Sequence, residues 1–521
     1  MTIESQPPGG GASAAEPPRG VEYRHEGGLV IESVDVNQRD DVHRLHAGAV
    51  GLVGVLFLAV TGAAPLTAML GNVPYAVGFG NGIGAPSGFW IATIVLTVFS
   101  VGYVAMARKL TASGGFYSFI SHGLGRPVGL ASGWTAMACY MIFEASLMGI
   151  FAFFAKDTFN RFLHIDIGWG WYAFAGLIII SLLTYFDVRI SARVLGVALI
   201  TEVLILLIMD FGILFSGGGP DGLSAKPLSP SEGFSSVGGG AAAVGIFFAF
   251  WSWVGFEATV NYGEESRNPK KIVPRATYIA VIALGIFYTF TSWMVISGWG
   301  HDEAIKQAQN DATNFFFTPT QDFVGTLAKD IMQWVIVTGS FACGMAFHNA
   351  ASRYFYNLGR ERVFPAALGR THPKWHSPYA GSLFQSAMAA ILVAIFVILD
   401  KDPYVALYGW LAVLGTFGIL LVQSLTAISS FSYFERYHKE DVHWWRTRLA
   451  PILGAAGMIA VLVLLITKLT EIGGDVGFIK AVPFIVAGWF VLGLLLAYYL
   501  KLRDPRRYQV VGRMIDQGVD T

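Results

Sequence analysis

Long apolar stretches alternate with short polar connections along most of the chain. A membrane-crossing helix needs about 20 mainly apolar residues, because the hydrocarbon core of a bilayer is roughly 30 Å thick. Twelve stretches meet that requirement: residues 48–80, 87–107, 127–155, 168–186, 193–215, 238–263, 276–299, 327–358, 379–399, 403–432, 450–468 and 481–500. The pattern therefore predicts an all-α polytopic membrane protein with twelve transmembrane helices.

The first and sixth spans are interrupted near their centres by small residues that form helix poorly. The interruptions lie at residues 60–65 and 251–257, about 190 residues apart. A membrane helix satisfies its own backbone groups, so a break at membrane depth is tolerated only against protein or a wet cavity. Interrupted spans at corresponding positions of two halves indicate the central binding site of a transporter. We therefore predict a carrier for a small polar solute.

Positive charges divide unevenly between the two sides of the predicted spans. Of the 35 Lys and Arg residues, 26 fall in the termini and alternate connections, and eight fall in the opposite connections. Positive residues concentrate on the cytoplasmic side, so we predict a multi-pass protein of the cytoplasmic (inner) membrane with both termini cytoplasmic. The first span then starts inside and the sixth outside, which predicts a five-plus-five inverted repeat with broken helices 1 and 6.

This topology divides the chain into four parts. The first residues are rich in Pro, Gly and acidic side chains and cannot bury enough apolar surface to fold alone. The predicted parts are a disordered cytoplasmic tail (1–46), a transport core (47–435) with repeats at 47–215 and 238–435, peripheral helices (436–500) and a cytoplasmic C-terminal tail (501–521).

Composition agrees with this class. Hydrophobic residues make up 54% of the 521 residues, charged residues make up 13%, and the net charge is zero, so nothing indicates a nucleic-acid partner. Cys139 and Cys343 lie inside apolar runs and are predicted to be core residues. No metal-ligand spacing, nucleophile motif or phosphate loop stands in a fitting context. We therefore predict neither an enzyme nor a cofactor, and the partners are a small-molecule substrate and the lipid bilayer.

The two breaks carry residues suited to binding a zwitterion. Gly62 tolerates non-helical backbone, and Pro65 has no N–H to lose at the start of a helix. The N–H groups that begin the outer half-helix favour a carboxylate, and the carbonyls that end the inner half-helix favour an ammonium. A simple proline kink is the alternative for this break taken alone.

Acidic residues within the spans are the other candidates. Glu257 follows Gly255 at the second break, where it either titrates during transport, binds an amine or accepts hydrogen bonds from freed N–H groups. Glu202 is a second such residue, for which a protonated, structural carboxyl is the alternative; Glu144 and Asp210 are further acids. His348 and Asn349 are interpreted as packing or interhelical hydrogen-bonding residues. Trp251 and Trp253 flank the second break, and Trp253 is interpreted as a packing residue with no direct function.

Several stretches resemble the amino acid, polyamine and organocation superfamily of permeases, of the bacterial amino acid permease type. They are residues 250–258, 264–269, 272–276, 114–117, 349–353 and 358–365, and the resemblance covers residues 45–435. It implies alternating access and backbone contacts from Thr61, Gly62, Ala63 and Ala64 to the carboxylate and amine of the substrate. The first break reads Gly-Ala-Ala-Pro where better-known members have Gly-Ser-Gly.

The same resemblance assigns roles at the second break and in the fifth span. Trp251 matches a gating aromatic that closes over substrate, and Glu257 matches an acid implicated in proton sensing. Trp251 and Gly255 complete the set of predicted substrate-binding residues. Glu202 stands where some proton-coupled relatives carry a lysine. Residues 341–351 hold no Ser or Thr, whereas sodium-coupled relatives often supply hydroxyls from this helix, which favours proton coupling or exchange over sodium.

We therefore expect a secondary active transporter of L-amino acids, working by proton symport or exchange. Glu144, Glu202 and Glu257 keep open an amine or polyamine carrier of the same fold. A channel or non-transporting sensor built on the fold is a third hypothesis.

Overall fold

The computed structural model describes residues 21–26, 29–34, 50–110, 115–186, 188–235, 242–263 and 265–512, with the side chains of 21–34, 188–192 and 510 left out. Gly114 and Glu264 of the stretches quoted above lie outside the described residues, as do most of the N-terminal tail and residues 513–521 of the C-terminal tail. Two strands, β1 (Val21–Glu26) and β2 (Leu29–Val34), pair antiparallel with Val21 opposite Val34.

Helices make up nearly all of the remaining described chain. In its first half they are α1 (Leu52–Ala63), α2 (Pro65–Phe79), α3 (Ala85–Lys109), α4 (Phe116–Leu124), α5 (Arg126–Leu163), α6 (Trp169–Tyr185), α7 (Val188–Phe215), α8 (Pro230–Gly233) and α9 (Ala242–Trp251). In its second half they are α10 (Pro269–Trp299), α11 (His301–Asn310), α12 (Phe317–Phe323), α13 (Thr326–Arg360), α14 (Tyr379–Ile398), α15 (Leu411–Tyr437), α16 (Ala450–Thr467), α17 (Leu469–Gly473), α18 (Gly477–Arg503) and α19 (Pro505–Val510).

Short helical turns of other types join these helices. The turns of 3₁₀ type are Gly82–Gly84, Lys226–Leu228, Phe256–Tyr262, Ala312–Asn314, Ala366–Gly369 and Lys439–Asp441. Wider turns of π type, Pro403–Trp410 and Trp444–Leu449, lead into α15 and α16. The π turn at Pro403–Trp410 is relevant to the site, because such turns are frequent at functional positions.

Within the described residues, eleven helical segments are long and apolar enough to cross a membrane. The fourth predicted span corresponds to the shorter apolar helix α6, which has 17 residues. The prediction of an all-α polytopic membrane protein is therefore confirmed. The count of twelve crossings, the inverted repeat and the division into a core and peripheral helices stay predictions.

The interrupted helices lie at the centre of the bundle. In the 18-residue apolar stretch of Ala242–Tyr262, 100% of the stretch is buried inside the protein, whereas in that of Gly477–Arg503 the buried share is only 22%. Helix α1 packs against α7, α10 and α13, and α2 packs against α9. Backbone that departs from helix at this depth is thus enclosed by protein, which is the condition under which a membrane protein tolerates it.

The C-terminal segment packs against the end of the bundle that holds Val50, which we call the inner side. Val511 is buried, and the Gly512 N–H donates a hydrogen bond to Glu361 Oε1 at 3.1 Å. The Tyr117 hydroxyl donates to the other carboxyl oxygen of Glu361. Burial raises the pKa of Glu361 to about 8, although these hydrogen bonds act in the opposite direction.

Candidate functional site

The first break is a single residue in left-handed conformation between α1 and α2. Ala64 has φ 38° and ψ 81°, and its N–H donates to the carbonyls of Val60 and Thr61. Pro65 occupies the first position of α2, where its missing N–H costs no hydrogen bond. The direction of the chain therefore changes without an orphaned donor at Ala64.

The second break is a turn that follows α9. It ends at Gly255, whose φ of 117° lies in the region that favours glycine, and the chain continues in the 3₁₀ turn Phe256–Tyr262. The two breaks touch through their backbones, because a Cβ added to Gly255 would lie 2.7 Å from the Gly62 carbonyl carbon. Glycine at 255 thus permits a close approach that any side chain would prevent.

A small buried cavity lies beside this contact. Its volume is about 20 Å³, which is room for one water molecule. Its wall is made by residues from both breaks and from α2, α5, α13 and the π turn before α15: Gly62, Ala63, Ala64, Thr67, Ala68, Asn72, Leu147, Trp251, Ser252, Val254, Cys343, Phe347 and Tyr408. The cavity is therefore the point at which the two interrupted spans face one another.

Four of the predicted substrate-binding residues line the cavity, namely Gly62, Ala63, Ala64 and Trp251. Thr61 is not part of the wall, and its hydroxyl donates to the carbonyl of Phe57 at 2.6 Å and to that of Leu195 at 3.3 Å. Gly255 is also absent from the wall and instead supplies the backbone contact with Gly62.

A hydrogen-bonded cluster of polar side chains forms one side of the cavity, and the sequence pattern did not predict it. The Asn72 amide donates to Ser252 Oγ at 2.8 Å and accepts from the Tyr408 hydroxyl at 2.9 Å. The Trp251 indole N–H donates to the same hydroxyl at 3.1 Å. An asparagine within the first predicted span was the available signal, because polar side chains in a membrane helix need partners.

Glu202 lies behind the first break rather than in the cavity wall. Its Oε2 accepts the Leu66 N–H at 3.0 Å, so the carboxyl caps the first turn of α2. Its Oε1 has no hydrogen-bond partner among the described residues. A Cβ added to Gly339 would lie 2.7 Å from Glu202 Cδ, which shows that the glycine makes room for this carboxyl against α13.

Glu257 likewise lies outside the cavity wall. Its Oε2 accepts the Gly255 N–H at 3.0 Å, and its Oε1 accepts the Tyr140 hydroxyl at 2.8 Å. The Tyr103 hydroxyl donates to the Glu257 carbonyl at 2.7 Å. The side chain therefore accepts a freed N–H group of the second break and connects that break to α5.

The two other acids predicted within the spans, Glu144 and Asp210, have partners outside the cavity wall. Glu144 accepts from Gln385 at 2.6 Å and lies 3.0 Å from His348 Nδ1. The other ring nitrogen of His348 is 2.8 Å from Ser382 Oγ, so His348 makes the interhelical hydrogen bonds that the sequence predicts. Asp210 accepts the Thr291 hydroxyl at 2.6 Å.

The inner side is closed by a layer that we call the inner layer (Val50, Tyr262, Glu265 and Arg353). Arg353 and Glu265 are both buried, and Arg353 Nη2 lies 2.6 Å from Glu265 Oε2. The guanidinium also lies over the Tyr262 ring at 4.4 Å. The Val50 N–H donates to the Glu265 carbonyl at 2.9 Å, which joins the start of α1 to this layer.

Aromatic rings separate the cavity from the opposite, outer side. Tyr404 stacks on Tyr408 with ring centroids 5.8 Å apart and on Phe153 at 5.0 Å. Phe153 belongs to the wall of a surface vestibule of about 520 Å³, which also contains Lys156 and Asp400. Tyr404 is therefore the ring that lies between the cavity-lining Tyr408 and the vestibule.

A buried cavity at two touching helix breaks, inside a bundle of membrane-spanning helices, defines this molecule as a multi-pass membrane transporter. The chain belongs to the Amino acid permease family, whose profile matches residues 50–492, and the resemblance to the amino acid, polyamine and organocation superfamily is thereby confirmed.

The individual relatives are transporters with low sequence identity to this chain. The chain is 23% identical over 379 residues to the low-affinity putrescine importer PlaP of Escherichia coli (strain K12), covering 71% of this chain and 78% of the relative. It is 22% identical over 485 residues to the branched-chain amino acid permease BcaP of Bacillus subtilis (strain 168), covering 89% and 92%. It is 22% identical over 309 residues to the serine/threonine exchanger SteT of the same strain, covering 59% and 67%. The chain is thus a transporter and not an enzyme.

Proposed function

We propose that the protein is a secondary active transporter that moves L-amino acids across the cytoplasmic membrane by alternating access, with proton coupling or exchange. The observation that carries this proposal is the cavity shared by the two breaks, whose wall includes Gly62, Ala63, Ala64 and Trp251. The start of α2 favours a carboxylate and the end of α1 favours an ammonium, so the pair of half-helices matches the two charges of an amino acid.

The closure on both sides supports alternating access. The cavity of about 20 Å³ is too small for an amino acid, so binding requires movement of the surrounding helices. The inner layer closes one side with a buried ion pair, and the stacked rings of Tyr404 and Phe153 close the other. We propose that these two closures open in turn and that Trp251 closes over the substrate.

Glu202 is proposed to carry the coupling proton. As a carboxylate it accepts the Leu66 N–H and interacts favourably with the positive end of the α2 dipole. A proton on the carboxyl removes that charge and weakens its interaction with the first turn of α2, a turn that also borders the cavity through Thr67. Proton binding at Glu202 is thereby linked to the position of the half-helix that binds substrate.

Glu257 is proposed to sense protons at the second break. Its carboxyl joins the Gly255 N–H to the Tyr140 hydroxyl, so a change in its charge alters the connection between the break and α5. Because Glu257 is not part of the cavity wall, we propose that it acts on the conformation of the break rather than through direct contact with the substrate.

The second candidate function is transport of amines or polyamines by the same fold. The similarity to a protein named as a putrescine importer favours it. The positions of Glu144, Glu202 and Glu257 do not, because each carboxyl is held by protein groups outside the cavity wall. Amino acid transport is therefore the better supported proposal.

Uptake into proteoliposomes tests these alternatives. Purified protein is reconstituted, and uptake of a labelled amino acid mixture is measured with an inward proton gradient imposed or collapsed, with and without unlabelled putrescine. Gradient-dependent accumulation of amino acids supports the proposal. Accumulation of labelled putrescine without amino acid uptake favours the amine carrier, and no uptake or exchange of either solute favours a sensor.

Conservative variants then test the roles of Glu202 and Glu257 separately. We expect Glu202→Gln to lose proton-driven accumulation while retaining exchange with preloaded substrate, and Glu257→Gln to flatten the pH dependence of uptake. A wild-type response of Glu202→Gln would assign that residue to structure alone, and an unchanged pH profile would do the same for Glu257. The Asp210→Asn variant is the matched control, because Asp210 is a buried acid that bonds to Thr291 and lies outside the cavity wall.

A further inference from the structure

We infer that the transported amino acid has an uncharged side chain and that the Thr67 hydroxyl is one of the groups that bind it. This inference rests on the proposed function, because it concerns the substrate of the same cavity. It is carried by two independent observations, the chemistry of the cavity wall and an unpartnered hydroxyl within that wall.

The wall of the cavity contains no Asp, Glu, Lys, Arg or His among the described residues. The carboxyls of Glu202 and Glu257 lie outside the wall and bond to other groups. Glu202 accepts the Leu66 N–H, and Glu257 accepts the Gly255 N–H and the Tyr140 hydroxyl. A second ammonium on a diamine, or the side-chain carboxylate of an acidic amino acid, would be desolvated there without a counter-charge. That desolvation is strongly unfavourable, whereas an uncharged side chain does not incur it.

Most polar groups of the wall already satisfy one another. Asn72, Ser252, Trp251 and Tyr408 form the cluster described above, so each of these side chains already has a hydrogen-bond partner. Thr67 differs from them. Its side chain is buried and lines the cavity, and its hydroxyl has no hydrogen-bond partner among the described residues.

The position of Thr67 suits a bound carboxylate. It stands in the first turn of α2, where Pro65 has no N–H, the Leu66 N–H is taken by Glu202 and the Ala68 N–H donates to Ala64. The hydroxyl thus adds a donor at the end of α2 that carries partial positive charge. A buried hydroxyl without a partner costs free energy, and a bound substrate carboxylate removes that cost.

A competition panel tests the substrate class. Uptake of the best labelled amino acid is measured with a tenfold excess of unlabelled alanine, serine, threonine, leucine, glutamate, lysine or putrescine. We expect inhibition by members with uncharged side chains and little effect from glutamate, lysine and putrescine. Equal inhibition by any of these three would overturn the inference while leaving amino acid transport intact, whereas absence of all amino acid uptake would overturn the proposed function and this inference with it.

Isosteric variants test the hydroxyl. Thr67→Val should raise the KM for the substrate by about tenfold, the loss that corresponds to one hydrogen bond to a charged group, and Thr67→Ser should restore it. Thr135→Val is the matched control, because that buried threonine bonds its own helix at the Ala131 carbonyl and lies outside the cavity wall. A KM for Thr67→Val equal to that of wild type, with a monodisperse elution profile, would exclude the hydroxyl as a binding group.

Discussion

The contact between the two breaks predicts different effects of adding one methyl group to its two glycines. Gly255 has φ 117°, and a Cβ there would lie 2.7 Å from the Gly62 carbonyl carbon. A Cβ at Gly62 would lie 3.4 Å from Gly255 Cα, at the edge of ordinary contact. Gly255→Ala should therefore destabilise the fold strongly, and Gly62→Ala should not.

The magnitudes follow from the two kinds of strain. An L-residue in left-handed conformation costs about 1–2 kcal/mol, and overpacking a tight interior costs about 1–3 kcal/mol. Gly255→Ala should thus lower the free energy of unfolding by roughly 2–5 kcal/mol. Gly62 is helical, where alanine is favoured over glycine by up to about 1 kcal/mol, so Gly62→Ala should be neutral or slightly stabilising.

Thermal unfolding in detergent measures this difference. The apparent melting temperatures of wild type, Gly255→Ala and Gly62→Ala are compared by the fraction of protein that stays monodisperse after heating. The expected order places Gly255→Ala clearly lowest. A Gly255→Ala variant as stable as Gly62→Ala would refute the inference that the two breaks are in close backbone contact.

Three further predictions concern the closures of the molecule. Arg353→Met should destabilise the protein by about 3–5 kcal/mol, measured by the same heating assay, because it removes the guanidinium that pairs with the buried Glu265 carboxylate. Docking of the C-terminal segment should weaken as pH rises from about 4.5 to 8 and should change little above pH 8. The reason is that the docked state, in which the pKa of Glu361 is raised, binds more protons than the undocked state. The mobility of a spin label at Gln509 measures the extent of docking. Tyr404→Ala should expose Cys343 in the cavity wall to a thiol reagent added from the outer side.

Each of these predictions has a control. Adding Glu265→Gln to Arg353→Met should recover part of the lost stability, and no recovery would contradict the ion-pair explanation. Glu361→Gln should make the spin-label mobility independent of pH over the same range; a mobility that still changes with pH would assign the effect to another group. The thiol experiment uses a Cys139→Ala background, since Cys139 is the other cysteine of the chain, and unchanged labelling of Cys343 would remove Tyr404 from the outer closure.

Sequence patterns predicted the features that depend on neighbouring residues. The apolar spans follow from composition, and the breaks follow from Pro65 and Gly255, because these residues act on the local backbone. Gly62 was also expected to be non-helical, but it lies in the last turn of α1, and Ala64 is the residue that leaves the helix. Accepting a freed N–H was one of the three roles expected for Glu257, and the N–H that it accepts is only two residues away.

Features that depend on distant contacts were not predicted. Glu202 caps an N–H that is 136 positions away in the sequence, and Asn72 meets Ser252 and Tyr408 at separations of 180 and 336 positions. Hydropathy shows that each of these residues lies in a span. It does not show which face of that span packs against which neighbouring helix. For the same reason the hydrogen bond from the Thr61 hydroxyl to the Leu195 carbonyl on α7 was not predicted, while the backbone contact of Thr61 with substrate stays a prediction.

The contact between Gly62 and Gly255 also has a consequence for biosynthesis. About 190 residues separate the two glycines, and at 5–20 residues per second their translation takes roughly 10–40 s. During that interval the first interrupted helix enters the membrane without the second break against which its backbone packs, and without the Tyr288 hydroxyl that donates to the Ala63 carbonyl. The amino-terminal half of the chain therefore reaches its final packing only after the sixth and seventh predicted spans have followed it into the bilayer, and the two halves mature together rather than one after the other.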